Sequence, residues 1–74
     1  MRVKINLDTM TDINDFVKAV TNYGGNVYLT DKDRNFIVSA KSMLGAIYSM
    51  EWGEVWCDSD DDIYHILSRF IAEE

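Results

Sequence analysis

Residues 27–40, Val27-Tyr28-Leu29-Thr30-Asp31-Lys32-Asp33-Arg34-Asn35-Phe36-Ile37-Val38-Ser39-Ala40, decide the fold. Val27, Tyr28 and Leu29 begin a strand, Asp31 to Asn35 form a polar turn, and Phe36 to Ala40 form a second strand, so the pair reads as a hairpin. Upstream, Gly24-Gly25 ends a helix, on the expectation that glycine adopts the left-handed conformation there. That helix carries Ile13, Phe16, Val17 and Val20 on one face and Asp15 and Lys18 on the other. Thr9, three residues before Asp12, supplies a capping box. Before it, Val3, Ile5 and Leu7 alternate with Lys4 and Asn6, the period of a half-buried strand.

Downstream of the hairpin, Ser42 caps a short helix carrying Met43, Leu44, Ile47 and Met50, in which Gly45 costs about 1 kcal/mol relative to alanine. Val55, Trp56 and Cys57 make a fourth strand. Ser59 is read as the next cap, with Asp60, Asp61 and Asp62 in a first turn where the helix dipole favours negative charge. Ile63, Ile66, Leu67, Phe70 and Ile71 mark the buried stripe of the final helix. The order is β-α-β-β-α-β-α, an α+β chain. Its economical solution is one four-stranded sheet with three helices on one face.

At 74 residues the chain is one domain, 1–74, near the lower limit for a self-sufficient core. No apolar run approaches the ~20 residues of a membrane span. The start lacks a signal-peptide core and the single cysteine excludes an internal disulfide, so a reduced cytoplasmic setting is expected. The formal charge is −6, unevenly spread: residues 1–50 hold six basic and five acidic residues, residues 51–74 one basic and eight acidic. Such an acidic third keeps a small domain in solution, repels phosphate backbones and argues against direct nucleic-acid binding. Its sharper reading is a basic partner.

With Ala40-Lys41-Ser42-Met43-Leu44-Gly45, the element order resembles the HPr family, the phosphocarriers of the sugar phosphotransferase system. Gram-positive members read roughly Lys-Ser-Ile-Met-Gly before the short second helix. The resemblance covers the whole chain as elements and about ten positions, 38–47, as residues. It implies an open-faced antiparallel sheet in the order 1-4-2-3. Aligned on Phe16-Val17, the phosphorylated histidine of the family falls on Thr9, its partner arginine on Thr11 and the following proline on Asp12. Phosphoryl transfer needs an imidazole nucleophile and a nearby cation, which these residues do not supply. Ser42, preceded by Lys41, falls on the serine that a dedicated kinase phosphorylates in Gram-positive members. Met43, Leu44 and Ile47 fall on the family's partner-binding patch. The resemblance thus implies a docking surface kept without the histidine chemistry.

The remaining candidates have bland readings beside sharper ones. His65 lies off the helical stripe with no recognisable catalytic partner in the sequence. Cys57 reads as a small core residue, its acidic neighbour opposing a reactive thiolate. Asp58, Asp60 and Asp62 occupy calcium-loop positions, but Ile63 and Arg69 stand where the glycine and glutamate belong; Asp31, Asp33 and Asn35 fail alike. No metal or cofactor is expected. Ser42 is a helix cap and also a place where a phosphate would meet a helix N-terminus beside Lys41. Tyr48, Met50, Trp52 and Trp56 read jointly as an apolar patch rimmed by Glu51, Glu54 and Asp58, continuous with Met43, Leu44 and Ile47, the composition of an interface hot spot.

The leading expectation is therefore a non-catalytic, HPr-like regulatory module that docks a protein through the second helix and the aromatic turn. One alternative is a small acidic phage-type inhibitor of a nucleic-acid-handling or defence protein, in which residues 51–74, with Asp58, Asp60, Asp61 and Asp62 as their acidic surface, mimic phosphate charge. Another is a divergent phosphocarrier acting through Ser42 or His65. A homodimer burying the patch is a further possibility at the level of assembly.

Overall fold

A computed structural model describes residues 1–72. The elements are β1 (Arg2–Ile5), α1 (Met10–Thr21), β2 (Val27–Thr30), β3 (Ile37–Ser39) and α2 (Met43–Ser49), followed by a 3-10 turn (Met50–Trp52), β4 (Val55–Ser59) and α3 (Tyr64–Leu67). All strand pairings are antiparallel and the sheet order is β1-β4-β2-β3. The chain is thus α+β with three helices, as the element order predicts.

Strand alternation divides the sheet into two faces. Ile5, Val27, Leu29, Val55 and Cys57 point to the helices and are buried. They meet Ile13, Phe16, Val17 and Val20 of α1, with Ile63, Leu67 and Phe70 from the C-terminal segment. Phe16 and Phe70 close the core edge-to-face at 5.4 Å. The register sets Arg2 beside Asp58 and Asp58 beside Tyr28, then Lys4 beside Trp56 and Trp56 beside Thr30, all on the opposite face. There Arg2 lies over the Trp56 ring and donates to Thr30 Oγ1, Asp58 Oδ2 and two backbone carbonyls. This covering explains why Thr30 is buried on a face without helices.

The caps divide into confirmed and corrected. Thr9 Oγ1 accepts from the Asp12 amide at 3.1 Å, and Ser42 Oγ from the Gly45 amide at 3.1 Å. The return half of the Thr9 box is displaced, since Asp12 accepts from the Asp8 amide rather than from Thr9. Neither Gly24 nor Gly25 adopts a positive φ; α1 ends earlier, with Asn22 in right-handed geometry and its amide on the Val20 carbonyl. β1 stops at Ile5, short of Leu7, although Leu7 is buried, and β3 begins at Ile37 rather than Phe36.

The largest correction concerns the C-terminal third. Ser59 belongs to β4 and caps nothing: its hydroxyl donates to the Asp61 carbonyl, so Asp60, Asp61 and Asp62 form a connecting loop. α3 is one turn, entered through Ile63. The chain then extends, so that Ile71 forms an antiparallel bridge with Ile5 instead of continuing the helical stripe. The Asn6 amide donates to the Phe70 carbonyl at 2.8 Å and the Ala72 amide to the Lys4 carbonyl at 2.9 Å. The physical reason is the outer edge of β1, whose backbone groups need partners that a continuing helix would not supply.

Candidate docking surface

α2 is built inside out. Its buried residues are Ala46 and Ser49, the latter donating to the Ala46 carbonyl at 2.6 Å. Met43 and Ile47 are half-buried against the core, while Leu44 is 80% exposed and Tyr48 51% exposed. The patch expected from Met43, Leu44 and Ile47 is therefore split by the helical period: positions 43, 46 and 47 turn inward and positions 44 and 48 outward. Gly45 shows how closely the helix sits on β3. A Cβ there would lie 3.1 Å from the Ser39 carbonyl oxygen and 3.1 Å from Val38 Cβ. The glycine costs helix propensity and permits that approach.

The 3-10 turn carries Met50, which is exposed, and Trp52, which is half-buried. Gly53, at φ 81°, then reverses the chain into β4, a conformation that favours glycine. Trp52 is the centre of an aromatic cluster. Phe36 stacks on it at 5.9 Å with 17° between rings, and Tyr48 meets it edge-on at 5.9 Å and 88°. Its indole Nε1 is buried with no hydrogen-bond partner among the described residues. Phe36, half exposed at 50%, was absent from the candidates read in the sequence. The signal for it is strand alternation: Phe36 shares parity with Val38 and Ala40, which turn toward the helices, and so faces the α2 side just beyond the start of β3.

Trp56 belongs elsewhere. It lies on the open face of the sheet under Arg2, with its indole N–H reaching Glu54 at 3.5 Å. The expected carboxylate rim also turns away. Glu54 pairs with Lys4 at 3.2 Å, which with the Trp56 indole holds its carboxyl below the usual range. Asp58 lies between Arg2 at 3.1 Å and Arg34 at 3.6 Å. Of that rim, only exposed Glu51, within the 3-10 turn, stays beside the aromatic cluster in the chain.

The other acidic residues are drawn into loop structure. Asp60 accepts from the backbone and side-chain amides of Asn26, Asp61 from the Tyr23 hydroxyl at 2.5 Å, and Asp62 from the Tyr64 amide. The Asp61 bond is the main reason the Tyr23 phenol is held above its ordinary pKa. Glu73 and Glu74, part of the acidic count, lie outside the described residues. Among the described residues, no group of three or more His, Cys, Asp or Glu side chains is placed to hold a metal ion.

Each chemistry-bearing residue has its own local setting. Thr9 is occupied as a cap. Cys57 is fully buried and burial pushes its thiol up to about 12, so it stays protonated at neutral pH. His65 is exposed on α3. Ser42 is exposed, its hydroxyl oxygen engaged at the head of α2. No helix among the described residues is long and apolar enough to cross a membrane. No family model matches the chain, and neither the curated proteins nor the solved structures searched contain a significant match.

Proposed function

We propose that this chain is a non-catalytic, HPr-like regulatory module that docks a partner protein through α2 and the aromatic turn following it. The observation that carries the reading is the outward placement of Leu44 and Tyr48 on α2, with Tyr48 edge-on to the Trp52 of the Phe36–Trp52 stack. Exposed large apolar groups on one short helix next to a stacked aromatic pair in the chain cost solubility, and they match the anchors that dominate protein interfaces. The strand order β1-β4-β2-β3, with Ser42 capping the short second helix, supports the HPr-like part of the reading. The phosphate-mimic alternative draws less support, because Asp58 is held by two arginines and Asp60, Asp61 and Asp62 each serve local hydrogen bonds.

Leu44→Asp tests this reading better than a change at Met43, which packs partly into the core. Tagged wild type should retain a partner from lysate of the source organism that Leu44→Asp and Tyr48→Ala lose. The same partner recovered equally by all three proteins contradicts the reading. Substituting Asn for Asp60, Asp61 and Asp62 distinguishes the charge-mimic alternative, whose binding would collapse with that change and with added salt.

A further inference from the structure

The two tryptophans of the chain are held in opposite ways. Trp56 lies under the Arg2 guanidinium and directs its indole N–H to Glu54 at 3.5 Å. Trp52 has its indole Nε1 buried and without an acceptor among the described residues. A desolvated N–H left unpaired works against the packed position of its own ring, because water would hydrogen-bond the same group. The rings that hold Trp52 are themselves half in solvent. Phe36, stacked on it, is 50% exposed, and Tyr48, edge-on to it, is 51% exposed. The backbone carrying Trp52 is also lightly held. It is the last residue of the 3-10 turn Met50–Trp52, which has no side-chain cap, and the hydrogen bonds of such turns are poorer than those of an α-helix. Gly53 follows at φ 81° and ψ −61°, the rare and strained form of the γ-turn. Nothing lies within 4 Å of where its Cβ would stand, so the backbone there can turn without displacing a neighbour.

We propose that Trp52 is a hinged side chain with two positions. One is the packed position just described. In the other the turn relaxes at Gly53, the ring swings outward, and its N–H is hydrogen-bonded to water. The unpaired donor and the strained turn favour the outward position. Partial burial against the core and the contacts with Phe36 and Tyr48 favour the packed one. With the two sides opposed, both positions are populated in the free chain. An outward indole is a flat apolar body with one free donor, suited to an apolar slot that offers a hydrogen-bond acceptor. In that use the inference rests on the docking reading, whereas the exchange itself is a property of the chain alone.

Nitrogen relaxation dispersion at the two indole N–H groups of the free wild-type chain tests the hinge, with Trp56 as the internal reference. The Trp52 indole should show microsecond-to-millisecond exchange with a minor state of about 1–10%, while the Trp56 indole stays flat. Trp52→Phe keeps a ring and removes the donor; shown to be folded by its melt, it should lose the exchange at the backbone amides of Phe36 and Tyr48. Gly53→Ala strains the packed turn further and should enlarge the minor population several-fold. A flat Trp52 profile in the wild type overturns the proposal, as does exchange at Phe36 and Tyr48 that persists unchanged in a folded Trp52→Phe chain. A minor population unaltered by Gly53→Ala overturns the assignment of the hinge. Each of these results leaves the partner-recovery test of Leu44→Asp standing, so failure of the hinge and failure of the docking reading are told apart.

Discussion

α1 and α2 solve opposite problems on the same face of one sheet. α1 directs Ile13, Phe16, Val17 and Val20 inward and leaves only Met10 among its large apolar residues exposed. α2 directs Ala46 and Ser49 inward and its Leu44 and Tyr48 outward, with a glycine in its first turn. A helix selected for stability buries its largest side chains, as α1 does. α2 buries its smallest residues, half-buries Met43 and Ile47 against the core, and leaves Leu44 and Tyr48 in water. Hydrophobicity along this chain thus marks the core in one helix and an exposed surface in the other.

Substitutions can break that contrast, and the greatest effect belongs to α1. Phe16→Ala removes a fully buried ring that meets Phe70 edge-to-face and should cost about 3–5 kcal/mol, read from urea unfolding. In a domain of this size that loss approaches the whole folding free energy. Deleting a cap acts more evenly on the two helices: Thr9→Ala and Ser42→Ala should each cost about 1 kcal/mol. Gly53→Ala, which forces a methyl-bearing residue to φ 81°, should cost about 1 kcal/mol although the space around it is open. Leu44→Asp should change stability by less than about 0.5 kcal/mol, because the side chain is already in water.

The buried thiol gives a pH test of the core itself. The folded pKa of Cys57 is raised to about 12 by burial and by Asp58, so the fold favours the protonated thiol. Its contribution is fully present below the unfolded thiol pKa and is lost as pH rises from there toward about 12. Disulfide exchange with an aromatic reagent at pH 8 should therefore be slow in the native protein and fast in denaturant. Fast labelling of the native protein would place Cys57 outside the core.

What the sequence made legible follows from which signals are local. The hairpin, the stripe of α1 and the inward parity of Val55 and Cys57 are patterns of period 2 or 3.6 within a few residues, and each reappears in the fold. The strand order is not local, and its expectation came from a resemblance. The C-terminal segment misled because Ser59-Asp60-Asp61-Asp62 has the composition of a helix start, yet a competing demand decided it. The free edge of β1 takes Phe70–Ala72 as an extended partner, and the carboxylates tie down Asn26, Tyr23 and Tyr64. At the surface, Tyr48 and Trp52 do meet, but Trp56, only four residues after Trp52, points to the other side of the sheet. Phe36, distant in sequence, takes its place, since only the closure of β3 against α2 brings it there.

Under the docking proposal, the outward face of α2 serves recognition and not folding. The most direct test measures both on one variant: the thermal melt of Leu44→Asp beside wild type, and recovery of protein partners by each from the same lysate. Superimposable melts and a partner held by wild type alone are expected. A Leu44→Asp protein that melts well below wild type, or one that retains every partner, would contradict the docking proposal.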